Sequence, residues 1–532
     1  MQLGRMGAER RGRSGIHDRF GFMVISVIGR SSGDGRGRWH RRGLSARWFL
    51  AAALVTVACD GRVVRVLGEG EHGSSPSAGA GEGGEQGSAG GGHAAGTSGS
   101  SEEVGSTGAT GGAAGASSSG GPGAGGDGPG YSVVFRGDGE YESLYAAALD
   151  AQGRLVVGGG ADGTLSLNGE DHAGAVLLWL SPSGELVQAK SFGSAAYETQ
   201  VNGIAPVADG SIIAVGTYRT TVVVRDEIWV PTNENWGPDM FVMKVAANGE
   251  VIWARHFGGA GYDGAESAAV APNGNVYVSG YVSSAIDFGG GVHAAGEDTA
   301  FLLTLDADGG YVASQVFSPR GDLDAWPMTN ATGMALGRDG TVWLTGHAGL
   351  SEGSGSYLTQ VSPTGQLLTR KFFGDDGYTL ASDINGVRGG GALIVGNMNG
   401  TADFGEGPRN AGDSTKLFAA RFGPGGEPLW SSLLGDAADY DYDARASAVA
   451  ADGSVFITGG AFHVADNPML VRFAADGTPD EPEVFNAIGR FFAVCTGGEH
   501  SVYLAGKLDG SSDFGFGPVR GRRDFVVVRL VR

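Results

Sequence analysis

One short pattern recurs seven times between Tyr131 and Arg532: a Gly-bearing turn, four or five apolar or β-branched residues, and a closing Gly. The copies read "GRLVVGG", "GSIIAVG", "GNVYVSG", "GTVWLTG", "GALIVG", "GSVFITG" and "HSVYLAG", closing on Gly159, Gly216, Gly280, Gly346, Gly396, Gly459 and Gly506. Seven copies in 402 residues give a period of about 57. Each period holds four strand-like runs separated by Gly, Asn-Gly and Asp-Gly turns. The first run is built of small residues ("GAESAAVA"). The second is the repeated pattern. The third is apolar ("DMFVMKV", "TAFLLTL", "DFVVVRL"), and the fourth follows a tight turn ("GEVIWARHFGG", "GQLLTRKFFG"). A period of this length with four strands per unit predicts an all-β chain, a single seven-bladed β-propeller with four-stranded blades and the small-residue strands around its axis.

The ends of this region predict how the ring closes. The last run, Phe525 to Val531, has the phase of a third strand with no fourth after it, and "YSVVF" at Tyr131 to Phe135 has the phase of a fourth strand with no third before it. Tyr131–Phe135 is therefore expected antiparallel to Phe525–Leu530, completing the last blade and removing two free sheet edges.

Three Asp-Phe-Gly tripeptides, at Asp287, Asp403 and Asp513, invite comparison with the metal-holding loop of protein kinases. All three fall at one phase of the repeat, between the second and third runs. The phosphate loop, strand lysine and His-Arg-Asp loop that phosphoryl transfer needs are not in the sequence. The tripeptide reads as an apolar anchor followed by a turn. Arg136-Gly137-Asp138 and Arg320-Gly321-Asp322 likewise read as turns at strand ends. Trp179, Trp253, Trp343 and Trp430 recur at strand positions and read as packing between blades.

Asp239 to Gly264, "DMFVMKVAANGEVIWARHFGGAGYDG", together with the repeated "GNVYVSG" and "DFG" phases, resembles the SBBP-type β-propeller repeats of bacterial surface and secreted proteins. The likeness runs over 131–532. It implies a propeller presenting a binding surface outside the cytoplasm and implies no common catalytic residues.

The chain before the repeats differs in composition. Residues 1–58 hold eleven Arg against Glu9, Asp18 and Asp34, and the apolar run Trp48 to Ala58 follows Arg41, Arg42 and Arg47. This predicts an export signal region, with the true start at Met23 or later. Ala58-Cys59 resembles a bacterial lipobox junction, with Thr56 where that family prefers Leu, and implies a lipid anchor on Cys59. Residues 59–130 are a Gly/Ser-rich tether with few large apolar side chains. From Leu67 to Gly130 it would span roughly 45 Å as a flexible coil. Signal plus tether resembles the arrangement of myxobacterial surface lipoproteins. The chain carries −21 in all, and the local +8 of its first 58 residues leaves −29 for the remainder, which disfavours nucleic acid and anionic lipid surfaces as partners. Cys59 and Cys495, its two cysteines, give no disulfide framework.

The connections from a fourth strand to the next first strand repeatedly place Tyr beside an acid: Tyr141-Glu142, Tyr197-Glu198, Tyr262-Asp263, and "DAADYDYD" with Asp436, Asp439, Tyr440, Asp441, Tyr442 and Asp443. On a propeller these loops share one face, so they predict an acidic, aromatic crown suited to sugar rings, cationic groups or Ca²⁺. The competing reading is that the acids cap turns and the tyrosines pack between blades. No nucleophile with a matched base assembles from the sequence, and His172, His256, His293, His347, His463 and His500 show no metal-ligand spacing. The sequence thus predicts an exported, lipid-anchored monomer that binds a protein or polysaccharide at the cell surface without a resident cofactor. A propeller lyase or hydrolase with its site at the channel mouth, and a structural spacer, are the alternatives.

Overall fold

The computed structural model describes residues 117–119 and 130–532, apart from 196–197, 233–236, 297, 318–327, 338, 350–353, 375, 435–440, 463–465 and 499–500. The described chain is all strand, turn and bend, with no helix. Its strands form antiparallel four-strand meanders in a propeller-like arrangement. Separate four-stranded sheets occupy 143–192, 200–257 and 441–484. One twelve-stranded sheet covers 263–434. It consists of three successive meanders, 263–316, 328–373 and 376–434, joined only by the single pairs Thr299↔Thr329 and Ser354↔Tyr378. The remaining sheet brings the two ends of the repeat region together: Tyr131–Phe135 lies antiparallel to Pro518–Val531, with Tyr131 opposite Arg529 and Phe135 opposite Phe525, and Ser117–Ser119 pairs along its edge. The expected closing pair is present in the expected orientation.

The closing Gly of the repeated pattern lies in the second strand of each meander, and its reason is steric. A Cβ on any of the seven would lie well under 3 Å from a carbonyl oxygen of the first strand: Ser143, Gln200, Gly264, Asn330, Leu380, Asp443 or Arg490. That carbonyl is pushed toward the Gly because the first strand carries a β-bulge two residues further on, at Tyr145, Asn202, Glu266, Thr332, Ser382, Arg445 and Phe492. The missing side chain and the bulge are one device: the bulge needs room on the partner strand, and only Gly leaves it.

The three Asp-Phe-Gly inserts superpose chemically. Asp287 Oδ1 accepts the N–H groups of Gly289 (2.7 Å) and Gly291 (3.0 Å). Asp403 does the same for Gly405 and Gly407 at 2.7 and 3.0 Å, and Asp513 for Gly515 and Gly517 at 2.8 and 3.0 Å. The Phe between is buried each time among rings of its own sheet and its neighbour: Phe288 on Phe301 at 5.0 Å, Phe404 on Phe418 at 4.8 Å, Phe514 on Phe485 at 5.3 Å. The tripeptide is a turn closed by a carboxylate and pinned by a ring.

Neighbouring meanders lock through an aromatic on a glycine. The Trp253 ring lies over Gly309 and its Nε1 donates to Ala307 O at 2.9 Å. Trp430 repeats this over Gly477, donating to Ala475 O at 3.2 Å, and Tyr131 of the closing strand covers Gly184. Trp179 and Trp343 are buried in clusters shared with the following meander. Cys495 lies on the first strand of the last meander against the apolar core, and burial pushes its thiol up to about 12. The first strands sit side by side in chain order, and the last of them, Ile488–Gly497, returns to the first, Ser143–Leu149.

Candidate functional site at the inner strands

The Tyr/acid connections lead straight into these inner strands, and most of their described carboxylates turn inward to hold the chain. Asp263 is buried and accepts the N–H of Gly259 (2.6 Å) from the arriving loop and of Ser283 (3.3 Å) from beyond the second strand. Burial raises it to about 6 against the pull of those two bonds. Thr199, at the same repeat position, accepts Arg219 N–H at 3.2 Å. Glu142 is the counterpart in the first meander: fully buried, with Oε1 accepting Gly139 N–H at 3.0 Å and Oε2 unpartnered. Burial lifts its carboxyl to about 7, the Gly139 bond opposing and Asp524, Asp162 and Asp138 adding to the rise. Tyr141 beside it is exposed, and Tyr262 is half-buried.

Glu198, at φ 63°, pairs with Arg219 at 2.6 Å. Its carboxyl is still raised, because burial outweighs that partner. Asp441 accepts Thr415 N–H at 3.0 Å, and Tyr442 is buried. Asp443 joins three elements: Arg445 at 2.7 Å, Arg490 of the next meander at 3.0 Å, and Asn397 Nδ2 of the preceding one at 2.9 Å. Arg490 also reaches Asp466 at 2.9 Å. Asp436, Asp439, Tyr440, Tyr197 and Cys59 lie outside the described residues. Among the described residues no group of three or more His, Cys, Asp and Glu is placed to hold a metal ion.

The bulged residues form a second set, which the sequence reading did not single out. Tyr145, Asn202, Glu266, Thr332, Ser382, Arg445 and Phe492 are each half-buried, and each follows a buried residue. They reach around the inner wall. Tyr145 and Phe492 meet across the first and last inner strands at 5.3 Å between ring centroids; Asn202 Nδ2 donates to Ala265 O at 3.1 Å and Thr332 Oγ1 to Ala381 O at 2.9 Å. Where the surrounding scaffold repeats, these seven residues differ in charge, size and polarity. The residue after each closing Gly varies as freely: Gly160, Thr217, Tyr281, His347, Asn397, Gly460 and Lys507. Cations gather in the last two meanders, where Arg490 and Lys507 lie over the Phe492 ring at 6.0 and 5.7 Å.

The third meander carries opposite chemistry at the same two repeat positions. Glu266 has no protein hydrogen-bond donor among the described residues, and burial alone lifts its carboxyl to about 7. Tyr281 lies across Gly264: a Cβ there would stand 2.5 Å from its Cε1 and 2.9 Å from its hydroxyl oxygen. The hydroxyl thus passes over the inner strand two residues before Glu266. Burial holds Tyr281 well above the ordinary phenol range, with Glu266, Glu198, Asp298 and Asp263 adding to the rise. His347, on the next meander, is drawn down to about 4, first by burial and then by Arg445, so it is neutral at physiological pH. The signal that could have located this set is the repeat register itself, read column by column for positions that refuse to repeat.

No protein-family model matches the chain, and no curated protein matches it in sequence. Among solved structures it is similar to a catalytically inactive virginiamycin B lyase from Staphylococcus aureus in complex with quinupristin, at 8% identity and TM-score 0.40, covering 75% of this chain and 99% of that one. It is also similar to U3-55K, at 12% and 0.41, covering 75% and 98%, and to a protein from Lactobacillus plantarum, at 12% and 0.40, covering 73% and 99%. These likenesses are shallow, and the propeller-like arrangement stands on the strand pairing itself.

Proposed function

We propose that this is an exported protein, lipid-anchored through Cys59, which displays a closed seven-bladed SBBP-type β-propeller on the 59–130 tether as a binding module for a protein or polysaccharide of the cell envelope. Division of the twelve-stranded sheet into three blades at its two single-pair joints, with the inner strands in cyclic contact, supports seven blades. The observation that carries the binding role is the inner wall. A scaffold that repeats its caps, turns and bulges leaves two columns of residues free to differ, and those columns combine aromatic, cationic and acidic side chains in one lining. Repetition serves folding, and a departure from it along a half-buried inner wall serves a ligand.

Two measurements test this reading. Radiolabelled palmitate should enter the wild-type chain in its host envelope and be lost from Cys59→Ala; equal labelling removes the anchor. Capture from envelope extracts and on a glycan array, with the full chain as bait, should return partners that an Arg445→Ala/Phe492→Ala variant with wild-type thermal stability does not. Identical capture by both removes the inner wall as the binding surface.

A further inference from the structure

The strongest unassigned chemistry on that wall is a carboxylate, Glu266, without a counter-ion among the described residues, close in strand register to a phenol, Tyr281, without a hydrogen-bond partner among them. We propose that Glu266 and Tyr281 form a subsite for the protonated amine of a small ligand entering the space enclosed by the inner strands. The assignment rests on the binding reading of the same wall, but an amine subsite can fail while envelope partners are still captured, so the two are separable.

The argument is geometric. Glu266 is the extra residue of its bulge, set out of the ladder between Ala265, which pairs with Gly280, and Ser267, which pairs with Ser279. The other described inner-wall carboxylates are engaged: Glu198 by Arg219, Asp443 by two arginines, Asp263 by two backbone N–H groups and Asp383 by Ser447 N–H at 2.7 Å. Glu266 alone among these has no donor. Tyr281 crosses the same inner strand at Gly264, two residues before Glu266, and can do so only because Gly264 has no side chain. Replacing either glycine of this crossing, Gly264 or Gly280, would move the phenol or the bulge. A carboxylate and a phenol oxygen on one stretch of strand suit an ammonium group, which gains a charge-assisted hydrogen bond from the first and a second acceptor from the other. A neutral hydroxyl gains no charge term. Across the wall, the Tyr145–Phe492 pair offers an apolar face for the body of such a ligand.

The test uses the full chain, with glucosamine and methylammonium as amine probes and N-acetylglucosamine as the same sugar without the charge. Calorimetry should show glucosamine or methylammonium binding and N-acetylglucosamine failing. Glu266→Gln should weaken the amine at least about tenfold, the loss expected when a hydrogen bond to a charged group is removed, and Tyr281→Phe should weaken it less. Methylammonium, which stays protonated throughout, should bind more strongly as pH rises toward and past neutrality and the Glu266 carboxyl ionises. Unchanged stability of Glu266→Gln, read by thermal melting, keeps the result from reflecting misfolding; should it melt early, Glu266→Asp, which keeps the charge, must retain the probe. Absence of binding by both amines, equal binding of the acetylated sugar, or an unaltered affinity in Glu266→Gln each overturns the proposal.

Discussion

Gly280→Ala is the substitution that the repeat pattern most sharply forbids. The added methyl would stand well under 3 Å from the Gly264 carbonyl oxygen, 2.9 Å from its carbonyl carbon and 3.1 Å from Ala265 Cα. All three are backbone atoms, so no side chain can turn aside. Relief requires about 1 Å of separation between two hydrogen-bonded strands, and it falls where the Glu266 bulge already interrupts the ladder. Overpacking against side chains costs about 1–3 kcal/mol. Against a fixed backbone with a paired third strand on the far side, about 3 kcal/mol or more is expected. Gly296→Ala is the control. Its Cβ would meet only Thr299 Oγ1 at 3.8 Å, and its φ lies outside the left-handed region. There the lost freedom of the unfolded chain should stabilise by roughly 0.4–1 kcal/mol. Urea denaturation followed by tryptophan fluorescence should lower the midpoint in Gly280→Ala and leave it level or raised in Gly296→Ala. A Gly280→Ala midpoint within error of wild type would refute the account of why each copy closes on Gly.

Three further outcomes follow from the packing. Phe404→Ala should destabilise by about 3–5 kcal/mol, the usual loss for a buried ring, while Asp403→Ala, losing two turn bonds at an exposed site, should cost about 1–2 kcal/mol; denaturation midpoints separate the two. Asp443→Ala should cost about 3 kcal/mol, because it strips one of two carboxylates from the buried Arg490 and leaves Asp466 alone to hold it; the double variant Asp443→Ala/Arg490→Met, which removes the stranded charge as well, should cost less, both read by thermal melting. Glu142 has a folded carboxyl raised from about 4.5 to about 7 by burial, so the native state binds the extra proton between those values and stability falls as pH rises through them. Glu142→Gln should flatten that fall and add on the order of 2 kcal/mol at pH 8, measured by denaturation from pH 4.5 to 8.

The strands, their order within each meander and the pairing of Tyr131–Phe135 with the final strand were legible from phase alone, because alternation and turn chemistry act locally. The Asp-Phe-Gly turns were legible for the same reason. Depth was not. "GYDG" and "EYES" place an acid on the connecting loop, yet Asp263 and Glu142 are buried: both hold the arriving loop, and Asp263 also ties it to the residue beyond the second strand. A period locates a residue along the blade without saying whether backbone donors wait beneath it. The bulges were hidden for another reason. In "GAESAAVA" a bulge at Glu266 changes no residue type; only the partner strand's glycine records it.

The closing sheet also sets a timetable. Tyr131 and Arg529 are ladder neighbours at opposite ends of the repeat region, so one edge of Tyr131–Phe135 has no partner until Pro518–Val531 exists. Contacts this remote in sequence are the slowest to form. The ring of inner strands is therefore sealed only when Pro518–Val531 and Tyr131–Phe135 have met, whatever order the other meanders form in.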